Sequence, residues 1–325
     1  MKQPIFILGP HKSGTTLLRN LLDGTPGLFV VPHEMHFFQY ANDWVDYRLR
    51  MSRPPRLSFE DTKKAYYKSM ERTNRPETEM GGSDIARQID LERFQQKLSE
   101  PVNSFSQLIS LYVAASYEAL MGSEMPTGSR VVEKSVEHAE FAVQLKSLFP
   151  DAKFIHILRN PYSNLVSLRR YLSRNRKKFP FLGPALSSLE NSYYHMYHNS
   201  DVLRESYLVV KYEDLLTSTE EKMREIASFL NLEFHPAMLV PTTLGRDWKG
   251  NSSRGLQFSG VSTKNLEIWK EEISHLEVFY VNQLFGYIMA KFEYERLDMD
   301  RPFKWPVSKE RPKSYILNRL LKYYQ

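Results

Sequence analysis

The sequence predicts an α/β fold, a central parallel sheet flanked by helices and broken by one helical insertion. Short apolar runs recur at residues 4–9, Phe29–Val31, Arg130–Lys134, Lys153–Leu158 and Tyr207–Tyr212. Segments of helical period follow most of them, and strands alternating with helices build a parallel sheet covered on both faces. From about 40 to 128 that alternation stops and no strong strand pattern appears. The sheet is therefore interrupted, not extended, by that stretch.

The first run ends at Gly9, and Thr15 to Asp23 follow with Leu17, Leu18, Leu21 and Leu22 at helical spacing. Phe29-Val30-Val31 reads as a second buried strand ending at Pro32-His33-Glu34-Met35-His36. In the insertion, amphipathic stretches such as Leu108, Ile109, Leu111, Tyr112, Ala115 and Leu120 are separated by Pro54-Pro55, Gly81-Gly82 and Pro126-Thr-Gly128. Arg130–Lys134 resumes the sheet, and a helix is predicted over about 137–149, ending at Pro150. Lys153–Leu158 delivers Arg159-Asn160-Pro161 to a loop and a helix through about Arg174. Tyr207–Tyr212 leads into Glu213-Asp214-Leu215 and a helix over about 218–231. The Gly-, Ser-, Asn- and Arg-rich segment Gly245 to Thr263 is long for a connector and reads as a functional loop. Helices are predicted over about 264–274 and 275–290, giving a single domain over 1–300 and a basic tail over 301–325. The tail suits either a membrane surface or a packed terminal helix.

Composition narrows the partners. In 325 residues, 44 Lys and Arg against 38 Asp and Glu leave a net charge of +6, which fits small polyanionic ligands and is too diffuse for nucleic acid. The chain has no cysteine, which excludes disulfides, thiolate catalysis and cysteine metal sites. No apolar run approaches the roughly 18–20 residues of a membrane span, and a strand starting at Pro4 leaves no room for a signal peptide. A cytoplasmic protein is expected.

The loop between the first strand and helix carries the first chemical signal. Gly9 and Gly14 keep the glycine spacing of the nucleotide loop G-x-x-x-x-G-K-[ST], but Thr15 stands at the lysine position and the cation, Lys12, lies inside the loop. Backbone N–H groups of such a loop and the following helix N-terminus bind oxyanions, and His11, Lys12, Ser13, Gly14, Thr15 and Thr16 would line the cradle. The bound group is then anionic and terminal yet not handled as a magnesium triphosphate. A tight glycine turn is the plain alternative, and it leaves Lys12, Ser13, Thr15 and Thr16 unexplained.

A second signal is Arg159-Asn-Pro-Tyr-Ser-Asn-Leu-Val-Ser167, with an arginine at a strand end and a serine eight residues on, inside the next helix. If the chain bends at Pro161, both face one ligand, and a guanidinium with a hydroxyl suits a second phosphate.

Together these motifs resemble those of the sulfotransferases that use 3′-phosphoadenosine 5′-phosphosulfate (PAPS). Lys12-Ser-Gly-Thr-Thr-Leu-Leu is similar to that family's 5′-phosphosulfate loop, and Arg159 to Ser167 to its 3′-phosphate motif. Val209-Val-Lys-Tyr212-Glu-Asp-Leu resembles the segment whose tyrosine contacts the adenine side of the donor. Trp248-Lys-Gly250-Asn251-Ser252-Ser253-Arg254-Gly loosely resembles the loop that closes over the 3′-phosphate. The resemblance, which runs from residue 4 to about 290 without the 40–128 region, implies a P-loop NTPase-like sulfotransferase fold with PAPS as co-substrate and no required metal; the insertion, lying between sheet strands, is a natural place for acceptor recognition.

It also frames the catalytic residues. In the cytosolic small-molecule members a catalytic histidine follows a strand lysine by two residues; here Val136 holds that place and His138 lies two further on. In the tyrosylprotein and several carbohydrate sulfotransferases the base is a glutamate after the second strand. Glu34 matches it when the pattern Leu-Asp-x-x-Pro is laid on Leu22-Asp-Gly-Thr-Pro26 with one inserted residue. Lys134 matches the lysine that steadies the transferred group, and Lys12 faces charge growing on the bridging oxygen. The simpler roles are a carboxylate at a helix N-terminus for Glu34 and a solvated strand end for Lys134. His11 either contacts the donor or is a turn histidine. His33 and His36 are assigned to the acceptor pocket, since a zinc site on His-Glu-x-His lacks a third ligand in the sequence. The acceptor is a hydroxyl on a sugar, a tyrosine or a small alcohol; Trp44, Tyr47, Tyr66, Tyr67 and Tyr112 suit stacking on such a group or a place in the core. The rivals are a P-loop kinase or NTPase, which Thr15 opposes, and a catalytically silent nucleotide-binding protein on the same fold.

Overall fold

A computed structural model describes residues 1–44, 55–74, 89–174, 182–248, 250 and 260–298. Its centre is a sheet of β1 (Ile5–Leu8), β2 (Leu28–Val30), β3 (Arg130–Lys134), β4 (Lys153–Leu158) and β5 (Tyr207–Lys211), in the order β2-β3-β1-β4-β5. All neighbours are parallel, with Ile7 opposite Lys134 on one side and Ile155 on the other. The predicted α/β sheet is thus present, with every predicted strand in it.

Side chains alternate between the faces of a strand, and these strands are apolar on both. Ile5, Ile7, Val132, Ile155, Ile157 and Val210 face one layer, which α1 (Thr15–Leu22) covers with Leu17, Leu18, Leu21 and Leu22. Phe6, Leu8, Val131, Phe154 and Leu158 face the opposite layer. Each such fully buried side chain contributes roughly 1.5–3 kcal/mol. The second layer also contains Tyr66, Phe94, Leu108 and Tyr112, so the insertion shares the core of the sheet.

Among the described residues the insertion is helical, as predicted. After a single turn α2 (Phe37–Tyr40) come α3 (Phe59–Thr73), α4 (Leu91–Leu98) and α5 (Phe105–Met121). Ser58, Asp90 and Ser104 cap the last three through side-chain oxygens that accept the N–H of Asp61, Arg93 and Gln107. Tyr66 and Tyr112 stack at 3.9 Å with both rings buried, which assigns them to the core. Tyr47 lies outside the described residues, as do the tail and most of the 250s loop.

Three elements differ from the expectation. The helix expected over about 137–149 begins as a 3-10 turn (Val136–Phe141), and only α6 (Ala142–Leu148) is α-helical. The His138 N–H closes that turn on the Ser135 carbonyl at 3.0 Å, folding the His138 ring back over Glu133. After α7 (Pro161–Arg174) runs α8 (Leu182–Leu203), for which no helix is predicted. Behind β5 come α9 (Tyr212–Thr217) and α10 (Thr219–Phe229). Near the C-terminus the first expected helix shrinks to α11 (Trp269–Glu272), because Ser274 and Glu277 form a capping box that starts α12 (His275–Leu284). Phe285 then turns inward against Tyr193, and the chain resumes as α13 (Gly286–Lys291). Among the described residues no helix is long and apolar enough to cross a membrane.

Candidate active site

Each of the five parallel strands hands one piece of the site to the same edge of the sheet. The loop of residues 9–14 follows β1, His33 to His36 follow β2, Lys134 ends β3, Arg159 follows β4 and Tyr212 follows β5. The order places β1 in the middle, with chain crossovers leaving to both sides. The carboxyl ends at such a switch point are where α/β sheets bind ligands.

The loop after β1 is shaped by its two glycines. Gly9 has φ 145, and a Cβ there would lie 2.5 Å from the Ile157 carbonyl oxygen. Gly14 has φ 107, and a Cβ there would lie 2.2 Å from the ring of Tyr212. Gly14 also starts α1 without a side-chain cap, which leaves the first helical N–H groups for an external acceptor. The peptides between are strapped to α7. Asn164 Nδ2 donates to the His11 carbonyl at 2.7 Å, and Arg159 Nη1 donates to the Lys12 carbonyl at 2.9 Å. Ser13 is buried, and its hydroxyl has no hydrogen-bond partner among the described residues. Uncapped amides, an orphaned hydroxyl and the Lys12 ammonium are the groups a terminal oxyanion would satisfy.

Arg159 unites three sequence motifs. Its Nε donates to Ser163 Oγ at 3.0 Å, and its guanidinium lies 4.7 Å over the Tyr212 ring that bounds Gly14. The predicted partner Ser167 sits one turn further along α7, half-buried, on the face shared with Ser163. Lys12 lies 5.0 Å over the ring of Tyr171, one more turn along. Gly250 is half-buried with φ 89, whereas Asn251, Ser252, Ser253 and Arg254 lie outside the described residues.

The segment after β2 is held from beneath by a buried polar network. Arg19 Nη1 donates to the Pro32 carbonyl at 2.7 Å. Ser135 Oγ accepts from the amides of Met35 (3.0 Å) and His36 (3.1 Å), and donates to Glu133. His138 Nε2 accepts from the Phe37 amide at 3.1 Å, so its Nδ1 carries the proton that faces Glu133 Oε2 at 2.8 Å. His138 is fully buried with both nitrogens engaged, and it cannot serve as a base.

Glu34 emerges from this support and pairs with the Lys134 ammonium, which donates to its Oε1. Lys134 is buried, not a solvated strand end, and Glu34 precedes α2 instead of capping it. His36 bridges two carboxylates, with Nε2 3.3 Å from Glu34 Oε2 and Nδ1 3.2 Å from Glu137 Oε2. Glu137 in turn lies 3.6 Å from His11 Nε2 of the first loop. Burial opposes the charge on Glu34, but Lys134 and His36 hold it well below the usual carboxylate range. Burial likewise opposes the charge on His36, yet the two carboxylates prevail and raise it to about 11. Glu137 is pushed down to about 2, its burial being outweighed by His36. His33 is buried; desolvation and the neighbouring Arg19 lower it to about 4, so it is neutral.

Glu137 thus joins Glu34 and His36 from a distant part of the chain, with one ligand-type atom of each within 4.8 Å of the others. Lys134 and His36 lie against the two carboxylates at ion-pair distance. Sequence reasoning also missed Ser163 and Asn164; both lie on the face of α7 that Arg159 and Ser167 define, and helical spacing could have found them. Glu137 carries no local signal.

A parallel α/β sheet whose strand ends gather a glycine-bounded loop, an arginine and a carboxylate–lysine pair is a P-loop-like arrangement suited to group transfer. The chain belongs to the sulfotransferase family, whose sequence pattern matches residues 4–236, and sulfuryl transfer is its chemistry. Its fold is similar to that of the sulfotransferase domain from the curacin biosynthetic pathway, at TM-score 0.55 and 19% identity over 91% of this chain and 99% of that one. It is equally similar to the sulfotransferase domain of the olefin synthase from Synechococcus PCC 7002, at TM-score 0.55 and 20% identity over 88% and 96%. No curated protein matches the chain in sequence.

Proposed function

We propose that the chain transfers the sulfuryl group of PAPS to an acceptor hydroxyl, yielding a sulfate ester and adenosine 3′,5′-bisphosphate. The observation that carries this is that one aromatic ring, Tyr212, lies against both the loop at Gly14 and the Arg159 guanidinium. Lys12 and the amides of residues 9–16 meet the phosphosulfate end, Arg159 with Ser163 and Ser167 meets the 3′-phosphate, and Tyr212 between them meets the adenine side. His11, Ser13, Gly14, Thr15 and Thr16 complete the first cradle, and Gly250 to Arg254 are assigned to the second by their resemblance to the family's 3′-phosphate segment.

Transfer is an in-line displacement. The acceptor oxygen forms a bond to sulfur as the bond to the bridging oxygen breaks, and the electron pair stays on the 5′-phosphate that leaves. Lys12 stabilises that growing charge, and Glu34 receives the acceptor proton. A carboxylate clamped by an ammonium is a weak base, since proton transfer favours a base whose affinity for the proton nears the working pH. Sulfuryl oxygens compete for Lys134, and moving Lys134 onto them frees Glu34 at the moment a base is needed. The donor thereby arms the acceptor side. His36, beside Glu34, borders the hydroxyl of the sugar, tyrosine or small alcohol, while His33 supports from the interior.

Thermal stabilisation tests the donor assignment. A ligand at 100 times its dissociation constant adds about 2.7 kcal/mol, and adenosine 3′,5′-bisphosphate should do so for the wild type and much less for Arg159→Ala. Stabilisation by magnesium ATP and none by the bisphosphate would replace this function with that of a kinase or NTPase.

A further inference from the structure

Three chain segments meet at one side chain that the donor and acceptor assignments leave without a role. Glu137 projects from the 3-10 turn behind β3, with Oε2 3.2 Å from His36 Nδ1 and Oε1 3.6 Å from His11 Nε2. His36 continues to Glu34 at 3.3 Å, and Glu34 to Lys134. The string Lys134, Glu34, His36, Glu137, His11 therefore runs from the end of β3, past the base, to the donor loop. We propose that Glu137 is a positioning residue for sulfuryl transfer, holding His36 against the base Glu34 and tying that pair to His11 of the donor loop.

The histidine is over-determined in a way that needs Glu137. His36 has φ 44, a left-handed conformation that a non-glycine residue keeps only where its surroundings impose it. Ser135 holds its N–H at 3.1 Å, and the Tyr40 ring meets its edge-on at 5.7 Å. Both ring nitrogens lie within ion-pair distance of a carboxylate, Nε2 of Glu34 and Nδ1 of Glu137. Without Glu137, Nδ1 loses its carboxylate and Glu34 is left as the one ionic contact on the ring among the described residues. The charged or titratable groups around His36 are Glu34 and His33 from its own loop, Glu137 from the 3-10 turn, Lys134 from β3, Tyr40 from α2, Arg19 from α1 and His11 from the donor loop. Of these, only Glu34 and Glu137 meet the imidazole nitrogens within salt-bridge distance among the described residues.

The proposal rests on Glu34 as the base, and two sets of variants separate the two claims. Protein labelled with 15N-histidine is titrated by NMR, the His36 signal being assigned by its loss in His36→Asn, and conversion of PAPS to adenosine 3′,5′-bisphosphate is timed in parallel. In Glu137→Gln the His36 midpoint falls by about 1–3 pH units, the span for losing one adjacent opposite charge. Turnover falls about 10- to 100-fold, as for loss of a group that orients a catalytic side chain, while affinity for adenosine 3′,5′-bisphosphate falls less. Glu137→Asp keeps the charge, so it retains most of the midpoint and recovers part of the turnover; it carries the same test should the glutamine variant fold poorly. A folded Glu137 variant with an unchanged His36 midpoint and unchanged turnover overturns the proposal, provided Glu34→Gln is inactive. Normal turnover in Glu34→Gln overturns the base assignment and this proposal with it.

Discussion

Lys134 and Glu34, 100 residues apart in sequence, form an ion pair at the edge of the sheet, between the end of β3 and the loop after β2. β3 lies between β1 and β2 in the sheet, and in the proposed mechanism the lysine offered to the sulfuryl group is the one that masks the base. Lys134→Met should slow PAPS turnover about 10²–10³-fold, the range for removing one preorganised donor. Glu34→Gln should slow it about 10²–10⁴-fold, the range for a general base. Because the two side chains are in direct contact, the double variant should lose less than the product of the two effects. Strictly multiplicative losses would mean that the pair has no mutual role.

The same cluster gives stability a defined pH dependence. His36 is raised to about 11, so its contribution is complete below its unfolded value near 6.5 and is lost as pH climbs through 11. Glu137, lowered to about 2, contributes above its unfolded value near 4.5 and loses that contribution as pH falls through 2. Melting curves of the wild type and His36→Asn should therefore converge as pH rises above 6.5, the wild type being the more stable on the neutral side. Parallel curves from pH 6 to 10 would show that His36 is not held as a cation.

Gly14 is fixed by two independent demands, a positive φ of 107 and the Tyr212 ring within 2.2 Å of any Cβ. Gly14→Ala should lower the melting temperature and abolish binding of adenosine 3′,5′-bisphosphate, with strain of about 1–3 kcal/mol from the backbone alone. Adding Tyr212→Ala restores the space but not the φ, so stability should recover only in part. Full recovery would show that the clash alone requires glycine.

The strands and the loop after β1 were legible because they are local, an apolar run ending at a glycine and followed by leucines at helical spacing. Even the second phosphate motif needed only Arg159, Pro161 and Ser167 in one segment. What stayed hidden depends on distant parts of the chain. Glu137 looked like one more polar residue in a helix until the 3-10 turn behind β3 was set beside the donor loop. The helix Leu182–Leu203 was obscured differently, since Ser192, His195 and Asn199 interrupt its buried stripe of Leu186, Leu189, Tyr193 and Met196. Those polar residues are weak helix formers; the helix packs against α7, β5 and the 3-10 turn behind β3, where Asn199 donates to the Ala139 carbonyl at 2.8 Å.

Arg159 uses its planar fork twice, on the Lys12 carbonyl and on Ser163, and its face once, on Tyr212. A lysine has the charge but neither the fork nor the plane. Arg159→Lys should therefore weaken adenosine 3′,5′-bisphosphate at least about tenfold, the equivalent of 1.4 kcal/mol, as measured by calorimetry. Retained affinity would mean that net charge alone holds the second phosphate.

His138 is the residue on which a histidine mechanism and a glutamate mechanism part. It lies four residues after Lys134, close to where a catalytic histidine would be sought, and it is titratable. Its ring is nevertheless fully buried, stacked on Phe37 at 4.9 Å, with Nδ1 facing Glu133 and Nε2 accepting the Phe37 amide. A side chain so enclosed cannot reach an acceptor hydroxyl, but it does fix the peptide that follows Glu34 and His36. His138→Gln leaves Glu133 and the Phe37 amide imperfectly paired, and a buried group left unsatisfied costs about 1–3 kcal/mol. The variant should melt earlier than the wild type, while the pH dependence of PAPS turnover, measured well below that melting point, keeps its shape. If His138 were the base, the limb reporting its ionisation would vanish from the profile even where the protein is fully folded. A glutamate base leaves that profile in place, because Lys134 and His36, and not His138, hold Glu34 charged.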